Sequence, residues 1–283
     1  MMSRHARIKI SAATPAAASA LGAPDARAAN GDAAPGVFIK VLTVNIHKGF
    51  SFFKRKFVLH ELREAIRTVG ADVVFLQEVS GSHLRHERRL AHYPATPHYE
   101  FLADSLWPQF AYGRNVVHTS GHHGNAVLSK FPIVSVQNRD VSIGAAEARG
   151  LLHCVLQVPG RDSPVHAICV HLGLTESHRL HQLHMLCKLV HQQIPASAAV
   201  IAAGDFNDWR LRAHAVLARG AGLQEVFVQA HGRSVRTFPA RFPVLRLDRI
   251  YVRNVIGHAP LLLPLKPWSH LSDHAPLAAM IEL

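Results

Sequence analysis

The stretch AAVIAAGDFND, Ala198–Asp208, decides how this chain is read. It is an apolar strand that runs into an acidic loop. Val200-Ile201 upstream and Gly204 just before the turn place Asp205 and Asn207 at a strand end. Two residues apart in an extended segment, their side chains point the same way. An Asp there can deprotonate or orient a water while the Asn holds that water or a phosphate oxygen. An ordinary Asx turn gives the same letters, so the pair is weighed with its surroundings.

Similar strand ends recur on both sides of it. VFIKVLTVNIH (Val37–His47) is rich in β-branched residues and ends its strand at Asn45. Phe57–Val69 has helical spacing of Leu59, Leu62, Ile66 and Val69 and stops at Gly70. DVVFLQEV (Asp72–Val79) is a buried strand with Glu78 at its end. Gly124–Ile143 reads as a strand, a Pro turn and a second strand, and Leu151–Val158 with Val165–Gly173 as another hairpin. Ser177–Gln192 is an amphipathic helix, and a short helix follows the acidic loop over Trp209–Ala218. Leu247–Val252 and His274–Leu283 are the last strands. Helices and hairpins in both halves favour an α/β fold built as a β-sandwich with helices packed outside.

The totals agree with one large domain. The chain has 283 residues, 48% of them hydrophobic, enough to bury a sizeable core. Its net charge of +12 favours polyanionic partners: nucleic acid, anionic lipid head groups or phosphorylated small molecules. Most of the 22 histidines are read as surface or packing residues. Cys154, Cys169 and Cys187 form no C-x-x-C pair and are odd in number, which fits reduced, buried thiols rather than disulfides. No apolar run is long enough to span a membrane. Residues 1–36 are Ala-rich, carry Pro15, Pro24 and Pro35 and lack helical periodicity, so they read as a disordered leader before a domain over residues 37–283. A basic start and Ala26-Arg27-Ala28 resemble a secretory signal, but Pro15 breaks a weakly apolar middle, and a cytoplasmic location is favoured.

The chemistry-bearing residues are short acid, amide and imidazole motifs. Glu78 follows a buried strand, where a carboxylate is costly unless paired or bound to a cation. Hard oxygen ligands suit Mg²⁺, with Mn²⁺ as the alternative. Asn45 has an amide that orients a phosphate oxygen or a metal-bound water. Asp248 and His274 make a natural pair, the carboxylate fixing the imidazole tautomer. Asp273, in HLSDHAPL, adds a metal or water ligand. His171, in CVHLGL, is placed to donate to a phosphoryl oxygen. Lys48, Lys54, Arg55 and Lys56 flank the aromatics of GFSFFKRKF (Gly49–Phe57). Those rings either stack on bases, enter a lipid interface or cover the core.

In this order the motifs resemble the endonuclease/exonuclease/phosphatase superfamily, which includes DNase I, apurinic endonucleases, neutral sphingomyelinases and inositol-phosphate 5-phosphatases. The resemblance covers about Val37 to Leu283. LTVNIHKGF, YGRNVVH, GHHGNAVLS, AGDFNDWR and RTFPARFPVLRLDRIYV are most similar to a bacterial stand-alone subgroup often encoded beside a cardiolipin synthase. The resemblance implies a four-layered, DNase I-like α/β sandwich, with two packed mixed sheets flanked by helices. It implies divalent-metal-dependent cleavage of a phosphate ester. Glu78 would be the main metal ligand, with Asn45 and Asp273 nearby. Asp205 and Asn207 would position the nucleophile, His274 held by Asp248 would contact the phosphate, and His171 would stabilise the pentacovalent state. Asn125 and Arg149 fall in matching stretches and are taken as substrate-binding. One departure stands out: Glu147 precedes Arg149, where the DNase pattern places its acid after, so the partner of His171 is open. The expected activity is a Mg²⁺-dependent phosphodiesterase, acting as a monomer on a lipid-like or nucleic-acid diester, with peripheral contact to anionic membrane. A non-specific nuclease and a non-catalytic binder of anionic ligands on the same fold are the alternatives.

Overall fold

Strand β1 (Phe38–Asn45) is buried without interruption from Val41 to Asn45, so both of its faces are covered. Its even-numbered and odd-numbered side chains therefore belong to different apolar layers. In the computed structural model, residues 36–54, 56–90, 92–144 and 147–283 are described. The leader read over residues 1–36 lies outside them, apart from Gly36.

After β1 come α1 (Leu59–Val69), β2 (Val73–His83), α2 (Leu84–Arg89), α3 (His98–Ala103), β3 (Gln109–His118) and β4 (Gly121–Ser129). Then follow β5 (Ile133–Asp140), β6 (Gly150–Leu156), β7 (Val165–His171), α4 (Glu176–Gln193), β8 (Ala199–Asp205) and α5 (Ala213–Ala221). The chain closes with β9 (Gln224–Glu225), α6 (Val226–His231), β10 (Asp248–Arg253), β11 (Gly257–Leu261), α7 (Trp268–Leu271) and β12 (Leu277–Glu282). The strands form two six-stranded sheets, ordered β11-β12-β1-β2-β4-β3 and β5-β6-β7-β8-β10-β9. Each has one parallel pair, β1 with β2 and β7 with β8, among antiparallel neighbours.

The sheets meet through Ile39, Val41 and Phe75 on one side and Cys169, Ile201 and Ala203 on the other. Leu42 and Val44 face outward, under Leu62 and Ile66 of α1. Val200 and Ala202 face outward under Leu183, Leu186 and Val190 of α4. The order is helix, sheet, sheet, helix: the four-layered α/β sandwich that the family resemblance implied. Each fully buried Leu, Ile or Val stabilises by roughly 1.5–3 kcal/mol. All three cysteines are free and buried, as their spacing suggested.

One local expectation is corrected. The segment around Phe131-Pro132 is not the turn of a hairpin: β4 pairs with β2 and β3, whereas β5 pairs with β6 in the other sheet. Pro132 lacks a donor for a ladder, and the chain crosses between sheets there. The helix after the acidic loop also starts later than read, at Ala213 instead of Trp209. Its first free amide, Ala213 N, is taken by the carboxylate of buried Asp208 at 2.8 Å.

Direction decides where chemistry collects. β1, β7 and β8 end at Asn45, His171 and Asp205, whereas β2, expected to end at Glu78, carries Glu78 at a bulge on the same rim and runs on to His83. β10 and β12 are antiparallel to their neighbours and begin at that end, with Asp248 opposite Asp205 and His274 just before β12.

Away from that rim, Glu225 is fully buried and caps α6 by accepting from Val228 N. Its Oε1 has no hydrogen-bond partner. Burial pushes its carboxyl up to about 7, against the pull of Arg249. A carboxyl raised on folding binds a proton that the unfolded chain has already lost. Its stabilisation is complete below the ordinary carboxyl range near 4.5 and is lost as pH rises to about 7. Glu225→Gln keeps an accepting oxygen for the cap. It raises the stability measured by denaturant unfolding at pH 8 by roughly 1–3 kcal/mol, a gain that shrinks toward zero near pH 4.

Candidate active site

The rim is shaped by backbone that departs from regular strand. The β2–β4 register shifts between Leu76 and Val79, a bulge that sets Glu78 at φ 55°. A non-glycine residue in the left-handed region costs free energy, and such outliers concentrate at functional sites. Lys48, at φ 57° in the turn after β1, brings its Nζ to 2.6 Å from Glu78 Oε2. Gly204 has φ 150°, and a Cβ there would lie 1.9 Å from Val170 O of the paired strand. Gly204→Ala therefore forces β7 and β8 apart beside the site. It destabilises by about 2–4 kcal/mol in denaturant melts, more than an exposed Gly→Ala change would.

Asp205 is the centre of the arrangement. Its Oδ1 accepts from Asn207 N at 2.9 Å, an Asx turn like the one weighed from the sequence. Its Oδ2 accepts from Asn45 Nδ2 at 3.2 Å and lies 3.7 Å from His171 Nε2 and 3.8 Å from His274 Nε2. Asn207 spends its amide on Leu172 O at 2.9 Å, which fixes the loop. His274 Nδ1 is 2.9 Å from Asp248 Oδ2, so the pairing expected from two distant motifs is made. Asp248 Oδ1 is buried without a partner.

The protonation states follow from these neighbours. Burial alone would lower His274, but Asp248 and Asp205 outweigh it and raise the ring to about 10. It is an imidazolium at neutral pH. Burial raises Asp205 above the ordinary carboxyl range against the pull of His274, and Asp248 adds to the rise. A carboxylate so placed is a stronger base than a free one. Burial, then Arg149, pushes His171 down to about 4, so its ring is neutral at pH 7. Burial opposes ionisation of Glu78, but Lys48 and His171 hold its carboxyl well below the usual range.

The remaining sequence-read residues are placed as follows. Asn45 Nδ2 reaches Glu78 Oε1 at 3.4 Å as well as Asp205, so one amide spans the two sheets. Asp273 is linked to Asn45 through Ser272, whose Oγ donates to Asn45 O at 2.6 Å and lies 3.3 Å from Asp273 Oδ1. Arg149 lines the cavity, donating to Leu172 O at 3.1 Å and to Glu147 Oε1 at 2.5 Å. Glu147 also accepts from Leu174 N, and the carboxylate facing His171 is Asp205. Asn125 is fully buried, away from the cavity lining, and donates to Gly150 O at 2.9 Å between the sheets.

A cavity of about 370 Å³ is lined by Glu78, His171, Asp205, Asn207 and His274. Leu174, Trp209, Phe238, Leu245 and Leu247 supply its apolar lining. That lining was not assigned from the sequence. Phe238 and Leu245 sit in the part of RTFPARFPVLRLDRIYV that precedes β10, an irregular segment without periodicity to mark which face they present. Of the aromatic run beside Asn45, Phe50 is buried against Phe57 and His86, while Phe53 is 70% exposed.

Among the described residues, one acid and imidazole group lies close enough together to invite a cation. Asp205, Asp248 and His274 place one ligand atom each within 4.8 Å of one another. The 2.9 Å contact of His274 Nδ1 with Asp248 is a hydrogen bond, and a protonated ring nitrogen cannot ligate, so this group shares protons instead. Glu78 and Asp273 carry carboxylate oxygens and Asn45 an amide oxygen that accepts from His47 N at 3.0 Å, and the ionised Glu78 draws the Lys48 ammonium to 2.6 Å. That donor set suits a hard divalent ion.

A model of the Endonuclease/Exonuclease/phosphatase family matches residues 42–274. The uncharacterized protein YbhP of Escherichia coli is 57% identical over 244 residues, covering 86% of this chain and 96% of that protein. Among solved structures, an endonuclease/exonuclease/phosphatase from Bacteroides vulgatus superposes with a TM-score of 0.66 at 15% identity, over 87% of this chain and 99% of that one. TDP2 from D. rerio, complexed with a single strand DNA product, gives 0.60 at 19% identity, over 87% and 98%.

Proposed function

Because the chain belongs to the endonuclease/exonuclease/phosphatase family, whose members are generally hydrolases of phosphate esters, we propose that it is a divalent-metal-dependent phosphodiesterase. The observation that carries this reading is the focus on Asp205 Oδ2. Asn45, His171 and His274 stand within 3.8 Å of it, in the cavity that also holds Glu78.

Each residue then has a task. Asp205, raised in basicity by burial, accepts the proton of the attacking water as the new P–O bond forms. Asn207 and Asn45 hold that carboxylate in place. The His274 imidazolium, kept charged by Asp248, gives its proton to the departing oxygen as the old P–O bond breaks. Neutral His171 donates a hydrogen bond to a phosphoryl oxygen as charge grows on it. Arg149, on the cavity wall, attracts the anionic ester. Glu78, Asn45 and Asp273 would hold Mg²⁺, or Mn²⁺ in its place, which when bound neutralises phosphate charge. Lys48 must release Glu78 for that, a shift of one long side chain.

The apolar wall of Trp209, Phe238 and Leu245 favours a lipid-like diester. A nucleic-acid diester is the second reading, supported by the net charge of +12 and by the likeness to a TDP2 structure that holds single-stranded DNA. Turnover with Mg²⁺ is to be compared on plasmid DNA, anionic phospholipid vesicles and p-nitrophenyl phosphate. Preference for vesicle lipid is expected. Cleavage of DNA alone would select the nuclease reading, and preference for the monoester would overturn the diesterase reading.

A further inference from the structure

The loop from Arg233 to Leu247 separates three cavities. Its Phe238, Leu245 and Leu247 face the catalytic cavity. Its Val235, Arg236 and Pro243 face an apolar groove of about 200 Å³, closed on the other side by Leu262, Leu263 and Leu265. Its outer edge, with Arg233, Arg236 and Arg246, borders a third cavity of about 430 Å³.

Two features of this edge are unusual for a surface facing water. Phe242 is 77% exposed and Leu262 88%, with Leu265 and Val244 also exposed beside them. Residues 231–247 and 257–272 carry Arg233, Arg236, Arg241, Arg246 and Lys266 and no Asp or Glu. None of these cations makes an ion pair among the described residues. Arg246 is lowered from its ordinary value by burial, then by Arg236 and Arg233, so positive charge is crowded here. Protruding apolar side chains ringed by unpaired cations complement a bilayer of anionic lipid: the former enter the acyl boundary while the latter meet head groups.

We infer that this edge, Arg233–Arg246 with Leu262–Lys266, docks the protein on an anionic phospholipid bilayer. Nucleic acid shares the charge preference. The protruding groups, however, are mostly aliphatic, and leucine and valine offer bases no stacking face. The surface also differs from the aromatic run at Phe50–Phe57, whose Phe50 is buried. Docking would present head groups to the catalytic cavity across one loop, a benefit that rests on the phosphodiesterase reading. Docking itself does not depend on it.

Sedimentation of the full chain with vesicles tests this. The protein is expected to pellet with phosphatidylcholine vesicles containing phosphatidylglycerol and to stay in solution with phosphatidylcholine alone. Arg233→Gln/Arg241→Gln lowers partition by roughly 25-fold, at about fivefold per arginine. Phe242→Ser/Leu262→Ser lowers it by at least 10-fold, since each loses several buried CH₂ equivalents. All four positions are exposed and outside the catalytic cavity, so both variants keep the wild-type melting temperature and turnover of bis-p-nitrophenyl phosphate. Vesicle binding unchanged in both variants would overturn the proposal. So would wild-type protein that ignores vesicles but binds a single-stranded oligonucleotide, or that forms a dimer which Phe242→Ser/Leu262→Ser dissolves. Loss of diester turnover in the wild type, with vesicle binding intact, would instead count against the phosphodiesterase reading.

Discussion

Replacing His274 with alanine lowers kcat on a phosphodiester by about a thousandfold or more, with KM little changed. The magnitude follows from what the ring does. It is the only group at the rim that is both a held imidazolium and within 4 Å of Asp205, the proposed base, among the described residues. General acid catalysis of this kind contributes on the order of 10²–10⁴-fold, and loss of the positive charge beside the phosphate adds to it. The variant also leaves Asp248 buried with neither oxygen paired to the ring, its Oδ1 being partnerless already. A melting curve is therefore recorded beside the kinetics. Asp248→Asn keeps the volume and leaves the ring in place but removes the charge that raises His274, so it costs kcat and, at neutral pH, the stability that the raised ring contributed. A rise in KM at constant kcat in His274→Ala would show that the ring only binds substrate.

Glu78→Gln is the second large effect, and its signature is different. The glutamine is isosteric but neutral, so it gives up both the charge that attracts a cation and its bond to Lys48. The Mg²⁺ concentration needed for half-maximal activity rises by roughly 100-fold or more, above the 10–100-fold that follows loss of a merely orienting neighbour. At saturating Mg²⁺ part of kcat returns, which the His274 variant cannot show. Full activity at low Mg²⁺ would remove Glu78 from the ligand set. The fold itself is spared, because the bulge that carries Glu78 is set by backbone pairing on either side of it.

The strand ends were legible because each site residue follows or precedes an apolar run too long to be exposed. Asn45, His171, Asp205 and Asp248 do stand at strand ends, and Glu78, expected at one, sits instead at a bulge within β2; strand direction gathers them at one rim. The Asp248–His274 contact is made by sheet pairing of β8 with β10 and by the return of the chain before β12, which no local pattern encodes. Other features left no such trace. Lys48 reaches Glu78 only because its backbone is left-handed, and lysine is a poor signal for that conformation. β3 carries Gly113 and a register shift at Arg114, so its alternation is broken and it escaped notice. The chain crosses between sheets at Pro132 with the letters of a hairpin turn, since proline ends a ladder in either case. Phe238, Leu245 and Trp209 wall the cavity from irregular segments, where neither period applies. Arg149 was placed by resemblance and stands at the cavity, whereas Asn125 lies between the sheets bonded to backbone.

The central claim is that the groups around Asp205 cleave phosphodiesters with the help of a divalent ion. Release of p-nitrophenol from bis-p-nitrophenyl phosphate, followed with Mg²⁺ and then with excess EDTA, tests it most directly when wild type and His274→Ala are run side by side. The wild type is expected to show release that EDTA abolishes and fresh Mg²⁺ restores, and the variant near-background release at every Mg²⁺ concentration. Equal release by the two proteins, or release indifferent to EDTA, would contradict the claim.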